Sequence, residues 1–337
     1  MKAVVMRSFG PPEVLRLEEV PTPVPGPGEV LVEVHAVSVN RTLDLIVRSG
    51  KYPRPVELPH VLGVDPSGVV VAVGEGVRQR KVGDRVASHL RLDSGPATQT
   101  TVLLGVNIWG GYAEYVRLPE RSTYIVPDGL DFVTATVVAR HAPLAFAMLR
   151  EKVRVAPGEW VLVMGAAGGL GSVAVQVAKY LGAKVIAAAG SDARVKAACE
   201  LGADAGVNYR AADLTAEARR IAGRGVDIVL ENIGDPELFR AAFRSLGPNG
   251  RLVTAGSHGG GVVPLEVTHL YFNHITIMGW TGQSDADVDE SLKAAAAGRL
   301  RVLVDRVLPL AEAAEAHRIV AERGGIGKVV LVPSARP

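Results

Sequence analysis

Three glycines, Gly165, Gly168 and Gly171, stand between two patterned runs. Before them lies Val161-Leu162-Val163-Met164, and after them Ser172-Val173-Ala174-Val175-Gln176-Val177-Ala178-Lys179. Strand, tight turn and helix start, in that order, make a pyrophosphate site. Free backbone N–H groups and the positive end of the helix dipole point at the turn. The glycines allow the backbone conformation, the close approach of phosphates and the close packing of helix on strand. Past the helix, Gly182 to Ala189 reads as a second strand, which completes the βαβ unit that such a turn requires. The expected contacts are Gly165, Ala166, Ala167, Gly168, Gly169, Leu170 and Gly171, and the expected ligand is a dinucleotide.

The second strand ends in Ala188-Ala189-Gly190-Ser191, without a carboxylate to bond a ribose 2′-hydroxyl. Small residues there leave room for a 2′-phosphate, which favours NADPH, with Gly190 and Ser191 lining its pocket. Tyr209 and Arg210, after the third strand, could complete it, since a guanidinium gives a phosphate paired hydrogen bonds. Asp192 is read as the N-cap of a helix from Ala193. Asn232-Ile233-Gly234 and Ala255-Gly256-Ser257 end two further strands, and their backbones are expected along the ribose and nicotinamide.

The elements that position these residues differ along the chain. Up to about residue 125 the pattern is β: Lys2–Met6, Glu29–Val39, Ser67–Val73, Arg85–Ala87 and Ala113–Val116, separated by Pro-Gly turns. Short strands at this spacing suggest a small barrel. From about 126, the runs Val161–Met164, Lys184–Ala189, Asp227–Leu230 and Arg251–Ala255 alternate with helical segments near 170–181, 192–201, 213–222 and 236–246. Such alternation predicts a doubly wound parallel sheet. A strand at Ile275–Gly279, helices at 285–297 and 311–322 and a strand at Lys328–Val332 follow. The expected division is 1–125 with 266–337 in one domain and 126–265 in the cofactor domain.

At 337 residues two domains are expected, and 48% hydrophobic residues place the chain among globular proteins. Apolar runs stop short of a membrane span and Met1-Lys2-Ala3-Val4-Val5-Met6-Arg7 has no signal pattern, so a cytoplasmic protein with no membrane partner is expected. The net charge of +2, with basic residues dispersed, argues against a nucleic-acid partner. The single cysteine, Cys199, excludes an internal disulfide and a cysteine-rich zinc site. The eight histidines show no ligand spacing, and no metal site is expected.

Several ordered segments resemble the medium-chain dehydrogenase/reductase superfamily, and within it the zinc-free quinone oxidoreductases. They are Pro25-Gly26-Pro27-Gly28-Glu29-Val30-Leu31-Val32, Arg48-Ser49-Gly50-Lys51-Tyr52, Val82-Gly83-Asp84-Arg85-Val86, Gly110-Gly111-Tyr112-Ala113-Glu114-Tyr115-Val116, the Gly165–Gly171 turn and Gly327-Lys328-Val329-Val330-Leu331. The resemblance implies an α/β protein with a GroES-like barrel domain joined to a Rossmann domain, nicotinamide hydride chemistry and a homodimer. It places Asn40, Val64, Asp65 and Arg140 at the catalytic-zinc positions of related alcohol dehydrogenases, a set that cannot hold zinc. The region 88–108, where a structural-zinc lobe would fall, has no cysteine and has no assigned role. Arg194 falls where the family places a lysine on the 2′-phosphate.

By the same resemblance Asn40, Asp44 and Tyr52 line the active site. Asn40 could donate an amide N–H to a developing oxyanion, Tyr52 could donate its O–H or shelve a ring, and Asp44 would orient its neighbours. Arg140-His141 falls on a segment that is usually small and apolar, and Arg140 could hold an oxyanion or an anionic substrate. Without a metal, reduction of a quinone or α,β-unsaturated carbonyl is the expected reaction, because the protein needs only to align π systems and stabilise an oxygen anion. The alternatives are a relative of the zinc alcohol dehydrogenases and a cofactor-binding protein without turnover.

Overall fold

The computed structural model describes residues 1–92, 101–322 and 324–333. Its strands, in chain order, begin with β1 (Lys2–Met6), β2 (Leu15–Glu19), β3 (Glu29–Ser38), β4 (His60–Val61), β5 (Ser67–Val73), β6 (Arg85–Ser88), β7 (Tyr115–Pro119) and β8 (Thr123–Ile125). Then come β9 (Trp160–Met164), β10 (Lys184–Ala189), β11 (Ala205–Asn208), β12 (Val226–Glu231), β13 (Leu246–Thr254) and β14 (Thr276–Gly279), and last β15 (Val304–Pro309) and β16 (Lys328–Val332). Two compact units result: Met1–Arg140 with Ser291–Ala296 and Val304–Pro337, and His141–Glu290 with Ala297–Leu303. The chain thus changes unit at Arg140 and Glu290, where 125 and 265 were expected. Two elements account for the difference. The helix Phe132–Phe146 starts in the first unit and runs into the second. β14 extends the second unit's sheet by pairing in parallel with β13.

The first unit is built on β3, which pairs antiparallel with β5, β7 and β16. The order β15-β16-β3-β5-β6-β8 makes the main sheet, and β2-β1-β4 a smaller one. Branched side chains suit a pleated, half-buried surface. Val30, Val32 and Val34 of β3 are buried with Val70, Val86, Val116 and Leu118, and burying each such side chain contributes about 1.5–3 kcal/mol. Pairing of Val330 with Ser38 brings the start of β16 to the end of β3. That register sets the first unit's polar cluster.

In the second unit every strand pairing is parallel, in the order β11-β10-β9-β12-β13-β14. Chain order reverses beside β9, with β10 on one side and β12 on the other, and ligands bind beyond the strand ends at such a switch. β9, β10 and β12 are almost wholly buried, which explains their unbroken apolar runs. Side-chain caps start the next helices: Asp213 accepts from Ala216 N, and Asp235 from Glu237 N and Leu238 N ahead of Leu214–Ala222 and Pro236–Arg244.

One helical stretch, Phe132–Lys152, is by length and composition apolar enough to cross a membrane, although the sequence was read as having no run of that kind. Its apolar window is 72% buried inside the fold, as in a core helix. The elements β2, β8, β15 and Val267–Phe272 were also not anticipated. Of the insertion 88–108, residues 93–100 lie outside the described residues.

Candidate functional site

The glycine turn leaves β9 through Gly165, whose φ of +61° suits a residue without Cβ. Gly168 N donates to Gly165 O at 2.9 Å and then stands as N-cap of the helix Gly169–Tyr180, with no side chain to cap it. Among the described residues nothing accepts from the N–H groups of Gly169, Leu170 and Gly171. A first helical turn with unpaired donors and a positive dipole end is what a pyrophosphate needs. A Cβ on Gly171 would collide with Gly165 O, and one on Gly169 would come within 2.6 Å of His141 Nε2. Ala166 and Ala167 are buried, and Ala166 N is held by Ala188 O at 3.0 Å.

Two groups of expected residues flank the turn. On the β10 side, Tyr209 N donates to Ala189 O, and the Tyr209 hydroxyl would lie 3.0 Å from a Cβ on Gly190. Ser191, not Asp192, is the N-cap: its Oγ accepts from Arg194 N at 3.5 Å. Asp192 is instead the first helical residue and accepts from Asn208 Nδ2 at 2.8 Å. On the β12 side, a Cβ on Gly165 would lie 2.9 Å from Asn232 Oδ1. One on Gly234 would lie 2.9 Å from Ser257 Cα, and one on Gly256 would strike Asn232 O. The loop is held by Glu231, which is not among the residues expected from the sequence. Its Oε1 accepts from Ile233 N and Gly234 N at 2.7 and 2.8 Å, and its Oε2 from Thr254 Oγ1 at 3.0 Å. A carboxylate ending an apolar strand was the available signal.

The first unit gathers charge around Asn40, just past β3. Asp65 accepts from Ser38 N at 2.8 Å, Ser38 Oγ at 2.5 Å and Asn40 Nδ2 at 3.0 Å. Asn40 Nδ2 also lies 3.2 Å from Ser38 O, so both its hydrogens are engaged inside the cluster and none is left for a substrate oxygen. Asp44, in the π-helical turn Arg41–Leu45, accepts from Asn40 N at 2.7 Å and Gly63 N at 3.1 Å. Lys328, brought in by β16, donates to Val39 O at 2.9 Å and Asn40 Oδ1 at 2.8 Å. In the sequence Lys328 stands out only as part of the Gly327–Leu331 motif. A lysine followed by a strand gives no sign that it is buried.

Asp44, Asp65 and Lys328 are all under 9% exposed. Burial, with Asp65 beside it, raises the Asp44 carboxyl above its ordinary range, against the Asn40 and Gly63 amides. Burial, assisted by Arg140, lowers the Lys328 ammonium, while Asp65 and Asp44 hold it up. A chain of donors ends on the same carboxylate. Arg48, which can only donate, reaches His317 Nδ1 at 3.2 Å, so His317 Nε2–H donates to the Tyr112 hydroxyl at 3.2 Å. The Tyr112 hydrogen is left for Asp44, and burial together with Asp44 raises the phenol.

Arg140 lies one turn beyond Thr136, whose Oγ1 is 3.0 Å from Asp65 O, so its side chain projects over the same carboxylates. Burial lowers its guanidinium, opposed by Asp65, Asp44 and Tyr52. Among the described residues it makes no hydrogen bond or ion pair, and its buried Nε has no acceptor. Tyr52 is half-buried. The first unit thus brings Asn40, Asp44, Tyr52 and Arg140 into one neighbourhood, and presents a charged donor without a hydrogen-bond partner among the described residues.

The zinc positions can now be tested as a donor set. Asn40 is spent on Asp65 and Lys328, Val64 is aliphatic, Asp65 accepts three hydrogen bonds and Arg140 is a cation. Zinc takes thiolate, imidazole or carboxylate, and these residues do not fit it.

Residues 26–128 match the alcohol dehydrogenase GroES-like domain, and residues 169–297 the family described as zinc-binding dehydrogenase. Human quinone oxidoreductase is 32% identical, over 98% of each chain. A solved NAD-dependent alcohol dehydrogenase is 38% identical with a TM-score of 0.91, covering 99% of this chain and 100% of that one. A mycobacterial quinone oxidoreductase structure is 30% identical with a TM-score of 0.81, covering 99% and 100%. With a GroES-like unit, a parallel sheet carrying the nucleotide turn, and relatives aligned from end to end, the chain belongs to the medium-chain dehydrogenase/reductase superfamily, as a quinone oxidoreductase-like enzyme.

Proposed function

We propose that the protein is an NADPH-dependent, zinc-independent reductase of quinones or α,β-unsaturated carbonyl compounds. The observation that carries this reading is Arg140, a charged donor whose buried Nε has no acceptor among the described residues, at a position where the family resemblance puts the metal of zinc enzymes. The unpaired amides of the Gly165–Gly171 turn fit a pyrophosphate. The carboxylate-free end of β10, with Ser191, Arg194 and Tyr209 around Gly190, favours the 2′-phosphate.

A bound reduced nicotinamide supplies a hydride. The chain's own part is to stabilise the oxygen of the acceptor as it gains charge. Arg140 is the cation suited to that oxygen, and Tyr52 brings a hydroxyl to the same neighbourhood. A preorganised donor of this kind is worth about 100- to 1000-fold in rate. Asp44 and Asp65, accepting from backbone amides, Ser38 and Asn40, and Lys328, donating to Val39 O and Asn40 Oδ1, hold the wall behind Arg140.

The likeness to an NAD-dependent alcohol dehydrogenase favours a second reading, alcohol oxidation with NAD. We also take the protein to be a homodimer. β14 is the sheet's edge, and Val267, Tyr271, Phe272 and Ile277 beside it are exposed, which suits a second copy pairing there.

The test is a screen of quinones, alkenals, enoyl-CoA esters and alcohols with NADPH, NADH and their oxidised forms, with metal analysis of the purified protein. The reading expects NADPH oxidation by a quinone or enone, no stoichiometric zinc, and a fall of about 100-fold in kcat for Arg140→Ala. NADPH binding with no turnover across the screen, or zinc-dependent alcohol oxidation, would overturn it.

A further inference from the structure

A second donor without a partner among the described residues lies in the first unit, outside every residue expected from the sequence to act. His89 directly follows β6, whose Ala87 pairs with Ser67 of β5. Ser88 N donates to Pro66 O at 2.9 Å, so the antiparallel register brings His89 level with Asp65. Arg140 comes to Asp65 from the helix Phe132–Phe146, one turn after Thr136. β6 and the helix Phe132–Phe146 therefore bring His89 and Arg140 to the same part of the first unit, and His89 is near enough to feel the guanidinium.

The tautomer of His89 follows from its one hydrogen bond. Arg91 N–H donates to Nδ1 at 3.2 Å, so Nδ1 carries no hydrogen and Nε2 carries one. The ring is buried, and among the described residues Nε2 has no acceptor. Burial, helped by Arg140 and Arg91, pulls the imidazole down to about 3, so it is a neutral donor throughout the physiological range. A buried N–H without an acceptor is costly, and two such donors close enough to feel each other's charge call for an acceptor that can serve both.

We propose that His89 Nε2–H, together with Arg140, binds the oxygen of the acceptor substrate that becomes anionic during reduction. The inference rests on the reduction proposed above. Hydride adds to the carbon β to the carbonyl, the C=C electron pair moves toward the carbonyl, and the negative charge settles on that oxygen before solvent protonates the product. A guanidinium and a neutral imidazole can share that anion, and neither loses its hydrogen in doing so.

The test uses 4-nitrophenolate, whose phenolate oxygen stands in for the enolate, and the full-length protein labelled with 15N-histidine. Saturable addition should shift the His89 Nε2–H resonance downfield, and Arg140→Ala should weaken the binding about tenfold. In turnover, His89→Phe should lower kcat about 100-fold with the KM for NADPH unchanged. His89→Gln, which restores an N–H, should recover most of that loss. The ratio of wild-type to variant kcat should stay flat from pH 5 to pH 9, because His89 does not titrate there. A His89 resonance that ignores 4-nitrophenolate while Arg140→Ala still weakens its binding overturns the proposal and leaves the reduction intact. A shifted resonance with no quinone or enone reduced leaves the anion site and removes the reduction. The resonance needs only the wild-type protein, so the proposal remains testable if His89→Phe does not fold.

Discussion

Replacing Lys328 by methionine keeps most of the side chain's length and removes its charge. The Nζ makes two hydrogen bonds, to Val39 O and Asn40 Oδ1, and sits by the buried Asp44 and Asp65. Hydrogen bonds from a charged donor contribute about 1.5–3 kcal/mol each, and unpairing a buried charge costs about 3–5 kcal/mol. These overlap, so the expected loss of folding stability at pH 8 is about 4 kcal/mol. The deficit should depend on pH. Without the ammonium, the Asp44 carboxyl, already raised, rises further above its unfolded value. A carboxyl with a raised folded pKa binds protons more readily in the native state, so stability returns as pH falls. Urea unfolding of wild type and Lys328→Met at pH 8 and pH 5.5 measures both effects, and the neighbouring histidines cancel in the difference. We expect the deficit to shrink by at least about 1.4 kcal/mol at the lower pH, one pKa unit's worth. A deficit under about 1 kcal/mol at pH 8, or one equal at both pH values, would refute a buried ammonium that offsets two carboxylates.

Gly171→Ala pushes a Cβ into Gly165 O, and NADPH affinity measured by fluorescence titration should fall at least about tenfold, or 1.4 kcal/mol. Acid should destabilise the wild-type protein below pH 6.5. His89 and His317 are held neutral to about 3, so the unfolded chain takes up their protons first and stability drops as pH falls. Each of these two costs about 1.4 kcal/mol per pH unit, the raised Asp44 returns about as much as one of them, and His60 and His269, also lowered by burial, add to the loss, so urea unfolding from pH 6 to 4.5 should give a net slope of at least about 1.4 kcal/mol per pH unit. If β14 pairs with a second copy, Ile277→Asp should turn a dimer into a monomer in sedimentation equilibrium, and a wild-type monomer would remove the proposal.

Features that depend on neighbours along the chain are legible in the amino acids alone. The strand, turn and helix around Gly165, Gly168 and Gly171 are local, since the glycines meet steric demands within a few residues. Alternation of apolar runs with helical segments fixed the parallel sheet for the same reason, and β5, β10 and β16 have the residues expected of them. The helix Phe132–Phe146, which carries Arg140, was missed because it is apolar on most sides and shows no clear amphipathic period.

The polar cluster, by contrast, exists only once distant strands pair. Asn40 and Lys328 are 288 positions apart, and their hydrogen bond exists because β16 pairs with β3. That pairing leaves Asn40 without a free donor and buries Lys328. Likewise the register of β6 on β5 leaves His89 with an N–H that has no acceptor among the described residues, within reach of the Arg140 charge. A residue type shows which hydrogen bonds a side chain can make, but which of them are already taken depends on partners that only folding brings within 3 Å.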